Sequence, residues 1–196
     1  MKAFIYREYG SPNVLKLEEV DKPTPTDDEV LVKVIAASVN RTDCANLRAK
    51  PDIMRLTMGL FKPKKQILGT EFVGKVEAVG KAVVNFKVKD LVFGFDDSGV
   101  CAYAEYLVMN QNKGITTLPK NFEPTQAAGC IEGGHYAYNF INKVDLNAGD
   151  QVLVYGASGA IGSAAVQLLK YYGALVTAVC STKSIDVVKS LGADHI

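Results

Sequence analysis

A five-residue run without a charge, Gln151-Val152-Leu153-Val154-Tyr155, passes directly into Gly156-Ala157-Ser158-Gly159-Ala160-Ile161-Gly162 and then into a helical period. Bounded by Gly149-Asp150 and Gly156, the run suits a strand buried on both faces, as in a parallel sheet. Over residues 161–172, Ile161, Ala165, Leu168, Leu169 and Tyr172 share one helical face, and Gly173 is a natural C-terminal stop. A second buried strand over 175–179 and a second helix over 185–191, ending at Gly192, repeat the order. Strand–helix–strand–helix is the opening of a doubly wound α/β sheet.

That context gives the small-residue turn a chemical reading. Its pattern is A-x-G-x-x-G with Gly156 just before it, so Ala157 stands where a dinucleotide fingerprint has its first glycine. Gly159 has no Cβ to hold a pyrophosphate away from the backbone, and Gly162 lets the helix pack on the strand. The free N–H groups of the first helical turn, aided by the helix dipole, then face the phosphates. The expected cofactor contacts are Gly156, Ala157, Ser158, Gly159, Ala160, Ile161 and Gly162; the competing reading is a merely structural turn. At the end of the second strand the chain reads Val179-Cys180-Ser181-Thr182-Lys183-Ser184, with no acid before Asp186. A carboxylate there would hold the ribose hydroxyl of NAD, whereas hydroxyls and a lysine suit a 2′-phosphate. NADPH is therefore expected ahead of NADH, with Ser181 and Lys183 as contacts. The alternative is that Lys183 is an ordinary exposed lysine at a helix start.

Residues 1–118 read differently, as a β-rich domain, and residues 119–196 hold the nucleotide-type pattern. Strands are expected over 2–6, 15–20, 29–37, 72–79, 91–95 and 102–108, separated by glycine and proline turns. In 29–37, Val30, Val32, Val34 and Ala36 alternate with Leu31, Lys33 and Ile35. Residues 125–141 look helical, with a break near Gly133-Gly134. The segment 48–65 holds Arg48, Lys50, Arg55, Lys62, Lys64 and Lys65 against the single acid Asp52. It is read as a solvated basic loop, or as a lip that attracts a phosphorylated ligand.

Composition removes several classes. The formal net charge of the 196 residues is +1, which makes no case for nucleic acid or an anionic membrane as partner. No apolar run is long enough to span a bilayer. Arg7 and Glu8 interrupt any signal-peptide core, so a cytoplasmic location is expected. Cys44, Cys101, Cys130 and Cys180 form no C-x-x-C pair and read as buried, reduced thiols.

Three stretches carry a resemblance. The first is Val34-Ile35-Ala36-Ala37-Ser38-Val39-Asn40-Arg41-Thr42-Asp43. The second is Leu68-Gly69-Thr70-Glu71-Phe72-Val73-Gly74-Lys75-Val76-Glu77-Ala78-Val79-Gly80, and the third is Ala148-Gly149-Asp150 leading into the nucleotide strand. The chain resembles the medium-chain dehydrogenase/reductase superfamily, nearest its zinc-independent quinone oxidoreductases and related enoyl reductases. The resemblance implies a GroES-like β domain followed by a Rossmann domain, here incomplete. Residues 192–196 fall where the family begins its third nucleotide-domain strand, so a truncated chain, or one completed by another chain, is expected.

Zinc-dependent relatives have a cysteine at the position of Asn40 and a histidine at that of Thr70. Their third ligand falls near Glu132. The resemblance therefore implies no catalytic zinc, and no other metal site is expected. Without a Lewis acid the implied reaction is hydride transfer from NADPH to a quinone or other conjugated carbonyl. Alcohol dehydrogenase-like or enoyl-thioester reductase activity are variants of that reading, and a catalytically incomplete binding or scaffold piece is the alternative to it. In the resembling branch an asparagine at position 40 lies beside the nicotinamide and substrate; a turn cap is the other reading of Asn40. Tyr136 stands where the family has a threonine near the cofactor, and a homodimer is usual in that branch.

Overall fold

The computed structural model describes all 196 residues, which form two compact units, Met1–Gly129 and Cys130–Ile196. In the first, β1 (Lys2–Ile5) pairs with β2 (Lys16–Glu19) around a single helical turn at Pro12–Val14. β3 (Glu29–Ala36) leads to α1 (Arg41–Arg48) and the short α2 (Arg55–Met58). Then come β4 (Glu71–Val79), β5 (Leu91–Phe95), β6 (Tyr106–Asn110), β7 (Ile115–Thr117) and α3 (Pro124–Ala128). Strands β3 to β7 make one antiparallel sheet in the order β6-β3-β4-β5-β7.

The alternation in β3 explains its position. Val30 and Val32 are fully buried in a core with Phe72, Val76 and Val92, while Lys33 and Ile35 are exposed. Each such side chain contributes about 1.5–3 kcal/mol when removed from water. The sequence places a strand over 102–108; the ladder instead begins at Tyr106, and Ala104 makes only an isolated bridge to Ala3. The basic segment 48–65 is not all loop, since it contains a helical turn at Asp52–Met54 and α2.

The second unit holds α4 (Ile131–Ile141), β8 (Gln151–Tyr155), α5 (Ala160–Tyr171), β9 (Leu175–Val179) and α6 (Ile185–Ser190). β8 and β9 pair in parallel. The sequence breaks the helix at Gly133-Gly134; the structure breaks it at Gly129-Cys130 and runs α4 straight through both glycines. The reason is packing. A Cβ on Gly133 would sit 2.6 Å from the carbonyl oxygen of Ala160, so glycine lets α4 and α5 touch. The two units divide at Gly129/Cys130, with α3 packed against β3 and β4 of the first.

Two further expectations are corrected. The nucleotide strands are buried on one face, not two: Val154, Val176 and Ala178 are buried, whereas Leu153 and Tyr155 are 65% and 85% exposed. Helix α5 covers one side of this two-stranded sheet, and the other side has no layer upon it. The cysteines are all free, but none is fully buried, and Cys130 is exposed. A thiol packs as a small apolar group only where its neighbours close over it, which burial of the surrounding backbone does not guarantee.

Candidate functional site

In the second unit the local sequence builds an open turn. Gly156 takes φ +78°, a left-handed conformation that a Cβ would strain, and the N–H groups of Gly156 and Ala157 both donate to the Val179 carbonyl, at 2.9 and 3.0 Å. Ala157, at the place of the first fingerprint glycine, is fully buried against the core of this unit. Gly159 is the N-cap of α5 and has no side chain with which to cap it. Ser158, Gly159 and Ala160 are exposed, as is Ile161 at 39%. The uncapped N–H groups of the first turn thus face solvent with the positive end of a twelve-residue helix behind them. A Cβ on Gly162 would lie 2.2 Å from the Gly156 carbonyl oxygen, so the close approach of helix to turn requires glycine here.

The tip of β9 lies beside this turn through the Val179 carbonyl. Ser181 begins the single helical turn Thr182–Ser184, and its Oγ is 3.1 Å from Ser184 Oγ. Ser181 and Lys183 are both exposed. A carboxylate nearby would repel a phosphate; Asp186, the first acid after β9, sits one helical turn further on in α6.

Tyr136 lies on α4, half-buried, stacked on Phe140 with ring centroids 6.5 Å apart and edge-on to His135 at 5.5 Å. Asn139 Nδ2 donates to the His135 carbonyl at 2.9 Å and sits 3.1 Å from His135 Nε2, which ties that ring to its own helix.

In the first unit Asn40 belongs to a buried polar network. It is the N-cap of α1: its Oδ1 accepts from the Asp43 N–H at 2.8 Å, and Asp43 Oδ2 accepts from the Asn40 N–H at 3.2 Å. Asn40 Nδ2 donates to Thr70 Oγ1 at 2.8 Å and reaches Glu71 Oε1 at 3.5 Å. The positions of the first two family zinc ligands are therefore brought together, but as an amide donating to a hydroxyl. Glu71 is 3% exposed and also accepts from Ser38 Oγ.

Asp43 and Tyr103 are members of this network that the sequence did not single out. Asp43, 2% exposed, accepts from the Gly69 N–H at 3.1 Å and from Tyr103 OH at 2.8 Å. Burial holds its pKa above the usual carboxylate range; the bonds from Tyr103, Asn40 and Gly69 pull the other way, and nearby Glu71 pushes it up further. Tyr103 also reaches the Ser38 carbonyl at 3.1 Å, and burial together with Asp43 drives its phenol well above the ordinary tyrosine range. The signal for Asp43 was its place three residues after Asn40, the spacing of a capping box; Tyr103 carried none.

Residues 26–138 match the alcohol dehydrogenase GroES-like domain family. The chain belongs to that family and to the medium-chain dehydrogenase/reductase superfamily. Among curated proteins, it is similar to the chloroplastic NADPH-dependent alkenal/one oxidoreductase of Arabidopsis thaliana, with 33% identity over 204 residues, covering 99% of this chain and 51% of that protein. The 2-methylene-furan-3-one reductase of Solanum lycopersicum is 34% identical over 208 residues, with 99% and 51% covered. Among solved structures, the quinone oxidoreductase from Coxiella burnetii superposes with a TM-score of 0.88 at 31% identity, over 100% of this chain and 61% of that one. The CurK enoyl reductase gives a TM-score of 0.88 at 25% identity, over 100% and 58%. The chain spans about half the length of the first two curated relatives.

Proposed function

We propose that this chain carries part of an oxidoreductase that moves a hydride from NADPH to a quinone or another conjugated carbonyl compound. The observation that carries the reading is the open turn at 156–162, with uncapped amides at the N-terminus of α5. A pyrophosphate suits these donors because they are fixed by the helix and have no internal acceptor to displace. Lys183 and Ser181, exposed at the tip of β9, supply a cation and a hydroxyl for a ribose phosphate, with no acid closer along the chain than Asp186. The names of relatives support the same chemistry: one is an NADPH-dependent alkenal/one oxidoreductase, and others are quinone oxidoreductases.

NADPH, when bound, supplies the hydride at its nicotinamide C4; the acceptor's oxygen takes up negative charge and then a proton from water. The residues at the family's metal positions do not fit zinc. Zinc takes thiolate, imidazole or carboxylate ligands, whereas Asn40 has committed its oxygen to the Asp43 N–H and its amide to Thr70. This donor set supports acceptors whose charge is spread by conjugation, for which hydrogen bonds suffice. Asn40 serves the reaction by holding Thr70 and Glu71 in place, and Tyr136 is a further candidate on α4.

The test is to add NADPH or NADH to the purified chain and follow its thermal midpoint, then add phenanthrenequinone and follow the nicotinamide absorbance. NADPH is expected to raise the midpoint more than NADH, and Lys183→Ala is expected to remove the difference. A chain that neither gains stability from NADPH nor consumes it would sink the proposal.

A further inference from the structure

Beneath the basic segment of the first unit lies a cavity of about 350 Å³, within the usual range for small-molecule sites. Met54, Met58, Ile67 and Leu68 give it an apolar wall. Two largely buried residues on that wall, Tyr6 and Asn46, turn polar atoms to the cavity rather than to another protein group. Tyr6 is 1% exposed and Asn46 is 9% exposed. The hydroxyl of Tyr6 and the amide of Asn46 are nevertheless not sealed among protein atoms, because both residues line the cavity. Other polar groups there are engaged: Thr57 Oγ1 donates to the Met54 carbonyl at 3.0 Å and Ser98 Oγ to Asp96 at 2.6 Å. Both groups can donate to an oxygen held in the cavity without giving up a hydrogen bond inside the protein.

Charge indicates what accompanies that oxygen. Lys64 and Lys65 line the same cavity and are exposed. Lys64 Nζ donates to the Thr57 carbonyl at 3.1 Å, and Lys65 Nζ to the carbonyls of Ser98 and Gly99 at 2.8 and 2.9 Å. Lys64 meets only a neutral carbonyl, whereas Lys65 also lies close enough to Asp96 to help hold that carboxyl below its usual range. The single acid in 48–65, Asp52, is already paired with Lys50 at 2.7 Å. Asp97 also lines the cavity and has interactions of its own. Beside Met54, Arg55 has its Nε buried without a partner and lies over the Tyr9 ring at 5.1 Å.

We propose that this cavity binds a small amphipathic anion, a carboxylate or phosphate on an apolar body that also carries a carbonyl or hydroxyl oxygen. The body lies against Met54 and Met58, the anionic group meets Lys64 and Lys65, and the second oxygen accepts from Tyr6 and Asn46. Burial raises the Tyr6 phenol to about 12, so it stays a donor at neutral pH. The site is formed within the first unit, and its occupation needs neither NADPH nor the turn of the second unit.

Calorimetric titration of the full chain, with no nucleotide present, tests this with oxo-octanoate, octanoate, octanone and octyltrimethylammonium. Oxo-octanoate is expected to bind saturably and roughly tenfold more tightly than octanone, the difference of one charge-assisted contact. Octyltrimethylammonium is expected not to bind. Lys64→Met, on an exposed side chain, is expected to erase the advantage of the acid over the ketone. Tyr6→Phe, which keeps the ring, is expected to weaken oxo-octanoate several-fold and leave octanoate unchanged. Met58→Trp fills the cavity and is expected to abolish binding; its circular dichroism checks that the fold survives, and Lys64→Met reads the same site if it does not. Equal binding of ketone and acid, binding of the cation, or an unaltered isotherm in folded Met58→Trp would each overturn the proposal.

Discussion

The two sheets of this molecule treat the same kind of strand in opposite ways. In the first unit five antiparallel strands close around Val30, Val32, Phe72, Val76 and Val92, and on the other face of β3 Lys33 is exposed to solvent. In the second, two parallel strands are apolar on both faces, yet only the face toward α5 is covered; Leu153, Tyr155, Leu175 and Val179 are exposed on the other. The contrast separates two things that an apolar strand can mean. An alternating strand reports which face its own domain buries, while a continuous apolar run reports only that both faces are suited to burial. Where the layer is not present, the pattern persists and the burial does not.

This contrast can be broken most sharply in the first unit. Phe72→Ala removes a side chain with no exposure and is expected to cost about 3–5 kcal/mol in urea unfolding followed by circular dichroism. A loss below about 1 kcal/mol would mean that this core is no tighter than the half-covered sheet.

Next in size is Gly162→Val, which drives a Cβ into the Gly156 carbonyl. Overpacking of this kind costs about 1–3 kcal/mol. Hydrogen exchange should show lost protection in β8 and α5, unchanged protection in β3 and β4, and, if the proposed function holds, loss of the thermal shift expected from NADPH. Equal loss of protection in both units would show that they unfold together.

Asp43→Asn probes the polar network. The substituted amide cannot accept from Asn40 and Tyr103 as the carboxylate does, and a cost of about 1–3 kcal/mol is expected. The folded-state pKa of Asp43 lies above its usual 3.8, so the native state holds this proton more tightly than the unfolded chain. Its contribution is therefore fully present below pH 3.8 and is lost as pH rises through the elevated folded value. Urea midpoints measured across that window should show the advantage of the wild type over Asp43→Asn shrinking as pH increases. A difference that stays constant with pH would mean that Asp43 titrates as an ordinary carboxyl.

The smallest effect is expected at Tyr155→Ser. Its side chain is 85% exposed, so the midpoint should move by no more than about 0.5 kcal/mol. A larger loss would mean that something covers this face in solution, which light scattering of wild type and variant would detect as a change of mass.

Much of the fold was legible because it is periodic. The β8–turn–α5 unit and the second strand follow from consecutive residues, and the two family signatures pointed to the GroES-like β domain whose family residues 26–138 match. The helix break was misplaced because glycine has two uses that look alike in one dimension. Gly129 ends a helix, while Gly133 lets one helix approach another. In the candidate site, the capping role of Asn40 was readable from Asp43 three residues on. Its bond to Thr70 was not, because that partner is thirty residues away, in the loop before β4.

Local spacing alone determined the open amides before α5, the approach at Gly162 and the lysine after β9, since each depends on neighbours within a few residues. Only the folded chain decided that Asp43 meets Tyr103 across sixty residues, that Tyr6 and Asn46 share a cavity with Lys64, and that one face of β8 and β9 is open. Backbone geometry is a short-range consequence of residue type, whereas burial and hydrogen-bond partnership depend on which distant segments arrive alongside.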